Sequence, residues 1–156
     1  MSVQMQLDDF VLTRLHINWR PPTKPKVDIG ELTSGFDYSV AVNAKDKTRF
    51  KLDLRLKFSE VGKQQAEVGY VIEADLVGIF SFPEDADQET RQKLVRVNGV
   101  NLLYSTFRGV LGGLTGVFPG GKLVLPTIMP VEIVKQVETR RMATQQATKA
   151  LEPAKS

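Results

Sequence analysis

Between Phe50 and Phe58 the sequence reads FKLDLRLKF, with Phe50, Leu52, Leu54, Leu56 and Phe58 on one set of alternate positions and Lys51, Asp53, Arg55 and Lys57 on the other. Only a strand sorts such a pattern into an apolar face and a charged one; a helix would scatter both kinds around its circumference. A strand of this kind has to be covered on one side and wetted on the other. It therefore belongs to an antiparallel sheet whose apolar face lies against another layer.

Three further segments fit that sheet. Phe10 to Asn18, FVLTRLHIN, alternates with Val11, Thr13, Leu15 and Ile17 on one side. Phe36 to Ala44 alternates through Phe36, Tyr38, Val40 and Val42, and GYVIEADLVGIFSF puts Ile72, Ala74, Leu76, Gly78, Phe80 and Phe82 on a common face. Polar turns, NAKDKT and SEVGKQQA, join the last three strands. Between the first two lies WRPPTKPKVDIGELTSG, whose three prolines and two glycines predict a long surface connection.

The period then changes. PEDADQETRQKLVRVNG predicts a short helix whose early carboxylates suit the helix dipole. Val100, Leu103, Phe107, Val110, Leu111 and Leu114 form the stripe of a second helix, with Asn98 or Asn101 placed to cap it. A turn at Phe118 to Gly121 leads to the extended KLVLPTIMP and to a last helix from about Val131 to Met142. The tail ATQQATKALEPAKS has little to bury. The expected fold is α+β, a four-stranded antiparallel sheet followed by helices packed on one face, forming a single domain over residues 1–142 with a disordered tail over 143–156.

Composition narrows the function. The chain has 156 residues, a net charge of +3 and no cysteine, so disulfides, thiolate metal sites and cysteine nucleophiles are excluded together. Its basic residues are interspersed with acidic ones and no nucleic-acid signature accompanies them, which points away from a nucleic-acid partner. No apolar run approaches the roughly 20 residues of a membrane span. The N-terminus lacks the pattern of a secretory signal and carries Asp8 and Asp9, so a cytoplasmic location is expected. His16, the only histidine, sits in an alternating strand opposite the apolar set, without a nucleophile elbow to serve. DADQE lacks the glycine and final glutamate of a calcium loop, and GGLTGVFPGG lacks the lysine of a phosphate loop. Neither an enzyme, nor a metal site, nor a cofactor is expected.

The glycines of NLLYSTFRGVLGGLTGVFPGG therefore need another explanation. Inside a helix each costs about 1 kcal/mol relative to alanine. With Ser105, Gly109, Gly113 and Gly116 form a strip of small residues that lets a second backbone approach closely. Alternatively, the helix ends near Leu111 and the glycines are its frayed cap.

The segments GIFSF (Gly78–Phe82), VNGVNLLYSTFRGVL and GVFPGGKLVLPTIMP, taken in order, resemble the export chaperone SecB and its SecB-like relatives. Asn101, Leu102, Leu103, Tyr104 and Arg108 fill one family motif, and Gly116, Phe118, Pro119, Leu125 and Pro126 the next. The resemblance implies a SecB-like fold and a homotetramer, built as a dimer of dimers with helices sandwiched between two sheets. It implies a molecular chaperone that holds unfolded or nascent client proteins without ATP, for protein export or for a dedicated partner such as an antitoxin.

On the same basis the oligomer interface would use Tyr104, Ser105, Arg108, Gly109, Gly112 and Gly113. Clients would meet Trp19, Val27, Ile29, Leu32, Met129 and Ile133. Export members are typically acidic and meet a translocase motor through the sheet surface and tail. Here Lys51, Arg55 and Lys57 outnumber Asp53 on the clearest wet face, which argues against delivery to the motor and makes a dedicated partner the alternative.

Overall fold

The computed structural model describes residues 3–21, 32–61, 67–127 and 129–151. Four strands, β1 (Gln6–Arg20), β2 (Leu32–Val42), β3 (Arg49–Val61) and β4 (Glu67–Ser81), form one antiparallel sheet in the order β1-β4-β3-β2. The link from β1 to β2 thus joins opposite edges of the sheet, which is why a long connection is needed there. Both strands reach into the segment that its prolines and glycines had marked as connection. Trp19 still pairs with Tyr70, and Leu32 with Glu60, because the long central strands offer partners that far.

The inner face carries the core. Leu52, Leu56, Ile72, Ala74 and Phe80 have no exposed surface, as the alternation of β3 and β4 requires. Strand β1 departs from its predicted phase. The register slips between Leu7 and Asp9 and again between Leu12 and Arg14, so Asp8 and Thr13 are extra residues, and each flips the chain's parity. Leu7, Phe10, Leu12, Leu15, Ile17 and Trp19 pack against the core, spaced by three residues at each bulge, while Val11 and Thr13 face outward. The Thr13 hydroxyl donates to the Asp75 carbonyl at 3.1 Å. A strict period of two could not anticipate that switch.

Helix α1 (Gln88–Leu94) starts at Asp87, whose carboxylate accepts from the Thr90 amide at 2.8 Å and from its hydroxyl at 2.6 Å. It runs through a π turn (Val95–Gly99) straight into α2 (Val100–Thr115). No asparagine caps α2, because no helix end exists there: Gly99 is helical, with φ −62°. A β-carbon at Gly99 would lie 3.1 Å from Leu52 Cδ2 and 3.3 Å from Phe80 Cζ, so the turn that widens the helix is also where its backbone presses on the sheet. One strand further, Gly78 leaves room for Leu103 of α2.

Arg91 is buried and ties the lower end together, donating to the carbonyls of Lys47, Pro83 and Glu84 and to Gln88 Oε1. Helix α3 (Pro130–Leu151) buries Ile133, Val134 and Val137. The sequence pattern ended this helix near Met142. It continues to Leu151, with every described side chain from Glu138 onward exposed.

Candidate functional site

Helix α2 continues past Gly112 and Gly113 to Thr115, so the glycines are inside the helix and not a frayed end. Its inner side holds Val100, Leu103, Tyr104, Phe107, Leu111 and Thr115. The chain then turns at Phe118 to Gly121, where the Gly121 amide donates to the Phe118 carbonyl at 2.9 Å and Gly121 adopts φ 74°. It returns along α2 as an extended strap. The Leu123 amide donates to Thr115 Oγ1 at 2.9 Å, Arg108 Nε to the Leu125 carbonyl at 2.9 Å, and the Tyr104 hydroxyl to the Pro126 carbonyl at 2.6 Å. Burial pushes the Tyr104 phenol up to about 12, so it stays a neutral donor. Leu125 is buried beneath the strap and Val124 points to solvent at 60% exposure.

This geometry divides the residues that the sequence grouped as an interface. Tyr104 and Arg108 face the strap of their own chain. So does Gly112, where a β-carbon would meet Lys122 Cε at 3.2 Å. Ser105, Gly109 and Gly113 lie on the opposite, outer side, and a β-carbon on either glycine meets nothing within 4 Å. Val110 and Leu114, read as part of the buried stripe, are also outside, at 37% and 42% exposure, with Leu102 and Val117 extending the line. The sequence held a signal for this second face: Leu102, Val110 and Leu114 widen the apolar part of α2 beyond what one buried stripe needs.

The inner face of β1 is the other unfinished surface. Its side chains remain half-buried where those of β3 and β4 are sealed. The two surfaces meet at a cleft of about 750 Å³ lined by Met5, Leu7, Phe82, Pro83 and Leu102.

The residues proposed for clients do not form one patch. Trp19 is half-buried against the turn, where a β-carbon on Gly120 would lie 2.2 Å from its Nε1. Tyr70 completes that corner, its hydroxyl donating to the Gly121 carbonyl and its ring 6.0 Å from that of Phe118. Met129 is 64% exposed, just before α3, beside Val131 at 45%. Ile133 is core, at 5%. Leu32 opens β2, and Val27 and Ile29 lie outside the described residues.

The outer face of the sheet is a lattice of paired charges. Arg14 contacts Glu73 and Asp75, Arg55 contacts Asp75, Lys57 contacts Glu73, and Arg49 contacts Asp8, all within 3.6 Å. Hydrogen bonds from Lys57 hold the Glu73 carboxyl below its ordinary range. Partial burial works to raise Asp75, but hydrogen bonds from Arg14 and Arg55 outweigh it and hold that group low as well. His16 is exposed on this face.

No protein-family model matches the chain, and no curated protein is significantly similar to it. Among solved structures, it is similar to the Mycobacterium tuberculosis SecB-like chaperone Rv1957, in complex with a ChAD peptide from the HigA1 antitoxin Rv1956, with a TM-score of 0.59 and 19% identity over 80% of this chain and 90% of that one. A Streptococcus agalactiae protein of unknown function aligns at a TM-score of 0.46 and 11% identity, over 81% of this chain and 100% of that one. With its four-stranded antiparallel sheet followed by helices, the chain has the SecB-like fold.

Proposed function

We propose that this protein is a SecB-like chaperone that holds unfolded or nascent polypeptides without nucleotide, and that it works as an oligomer closed through the outer side of α2. The fold likeness to Rv1957 carries the reading. Two features of the chain support it: the apolar outer line of α2, and the exposed Val124 and Met129 on irregular backbone with Val131 at the start of α3. Methionine and loosely held aliphatics suit partners of varied sequence. Among the described residues, no helix is long and apolar enough to cross a membrane.

Within this reading, a dedicated client such as an antitoxin is favoured over delivery to an export motor. The neighbour was solved with an antitoxin peptide. Among the described residues, moreover, the outer sheet face pairs Asp8, Glu73 and Asp75 with Arg14, Arg49, Arg55 and Lys57, a mixed surface where a motor would meet an acidic one.

The test is suppression of aggregation, without nucleotide, for several unrelated unfolded proteins and for a cognate partner encoded nearby. Met129→Asp should weaken capture and leave the fold intact. Ile133→Asp should instead unfold the chain, since burying an unpaired carboxylate costs several kcal/mol, of order 3 or more. A well-folded wild-type protein that captures neither kind of client would refute the chaperone reading. Capture of the cognate partner alone would make it a dedicated chaperone.

A further inference from the structure

The outer edge of β2 is occupied by side chains. Arg140 of α3 donates to the Phe36 carbonyl and Arg141 to the Tyr38 carbonyl. Between them, the Tyr38 amide donates to the carboxylate of Asp37 at 2.9 Å, and Arg141 pairs with that carboxylate at 2.8 Å. Arg141 also lies over the Tyr38 ring, 5.0 Å from its centroid. Donors thus meet carbonyls two residues apart, with an acceptor on the amide between, as the backbone of a neighbouring strand would present them. Two guanidinium groups and one carboxylate stand in for a fifth strand.

Little holds this substitute in place. The apolar anchorage of α3 ends at Val137, and the described side chains beyond it are exposed. From there the helix is tied down by Arg140, Arg141 and Glu138, which accepts from the Tyr38 hydroxyl at 3.1 Å and pairs loosely with Arg96 at 3.8 Å. Asp37 and Arg141 are 57% and 45% exposed, and contacts so open to water are weak individually and screened by salt. Edge strands are commonly blunted by charge, but a block carried on the part of α3 beyond Val137, where no described side chain is buried, can be removed without disturbing the core.

We propose that the β2 edge at Phe36 to Tyr38 is a strand-addition site for an extended segment of an unfolded client, and that Arg140 and Arg141 are its displaceable cap. The proposal rests on the chaperone reading and adds where and how the client backbone is held. Every extended polypeptide, whatever its sequence, carries amides at the right repeat to replace both arginine donors and a carbonyl to accept from Tyr38. A second copy of this chain is the poorer occupant, because pairing two β2 edges requires two caps to leave, whereas a client requires one.

The experiment uses the full chain and its Arg140→Ala/Arg141→Ala variant with two probes. One is reduced, carboxymethylated lactalbumin, which stays unfolded. The other is a ten-residue Val/Thr peptide, made with and without N-methyl groups on every residue, so that neither edge of the methylated strand can donate. The variant should bind the unmodified peptide about tenfold more tightly than wild type, the scale of losing one or two exposed ion pairs. The N-methylated peptide should gain nothing, and the Tyr38 amide should exchange more slowly when the unmodified peptide is bound.

Equal affinity in the two proteins, equal gain with the N-methylated peptide, or self-association of the variant without tighter peptide binding would each overturn the site while leaving capture of lactalbumin intact. If neither protein binds lactalbumin or the peptide, the chaperone reading fails and takes the site with it.

Discussion

Replacing Gly109 and Gly113 by alanine separates two accounts of α2 by the sign of the effect. Within one chain, the added methyl groups meet nothing within 4 Å. Each substitution then only improves helix propensity, by about 1 kcal/mol at Gly109 and less at Gly113, which lies in the last turn. For a chain of this size, a gain of up to about 2 kcal/mol corresponds to roughly 4–8 °C in Tm. If instead the outer side of α2 packs on another copy, each methyl group enters the contact from both partners. Overpacking costs about 1–3 kcal/mol per site. The assembly should then dissociate at concentrations where wild type is intact, while the isolated chain still gains stability. Sedimentation equilibrium over a hundredfold range of concentration, with thermal unfolding at both ends of that range, reads both quantities. A variant with higher Tm and wild-type mass at every concentration would refute the assignment of the glycines to self-association.

Gly120→Ala should cost about 1–3 kcal/mol in chemical denaturation, because its methyl group would overlap the Trp19 indole, and the same substitution in a Trp19→Ala background should cost little. Since Trp19 is the only tryptophan, its fluorescence reports the corner directly. Arg91→Met removes the donor shared by three backbone carbonyls and should destabilise by about 2–4 kcal/mol; Arg91→Lys should rescue little, because one ammonium cannot reproduce a planar fork spanning two loops. Glu73 and Asp75 are held below their unfolded pKa values, so the stability they contribute is present above about pH 4 and is lost as the pH falls through their folded values. Glu73→Gln/Asp75→Asn should flatten the acid limb of stability against pH; an unchanged limb would mean the outer lattice contributes nothing.

The strands β2, β3 and β4 were legible because their apolar runs keep a constant register, so alternation in sequence is alternation in space; the shift in β3 between Ser59 and Val61 lies past its run. Strand β1 was legible as a strand but not in phase. The bulges at Asp8 and Thr13 depend on pairing with β4, and pairing across some sixty residues leaves no local mark. The asparagine caps failed for a related reason: Gly99 reads as a helix breaker, yet pressure from Leu52 and Phe80 selects the smallest residue within a continuous helix. At the candidate site, Tyr104 and Arg108 were read from a motif as interface residues, and the motif held no sign of their partners within the chain. Their polar ends bind the strap of the same chain, a contact made possible only when the turn at Gly120 and Gly121 reverses the backbone. Arg140 and Arg141 gave no signal at all, since their partners are backbone carbonyls about a hundred residues away.

The exposed apolar surface falls into two kinds, and the difference bears on what each binds. The outer line of α2 is regular, rigid and set with glycine, so it offers one fixed shape that a partner of fixed shape can match closely; an identical helix is such a partner. Val124 and Met129 sit on irregular backbone and Val131 in the first turn of α3. A ligand there has to bring its own order, and it gains affinity from backbone groups only at a sheet edge, of which β2 is the one proposed above. On the proposed reading, a chain with both kinds of surface keeps its assembly constant while its clients vary. The reading then predicts that the two respond to different substitutions: Gly109 and Gly113 for mass in solution, Met129 for capture.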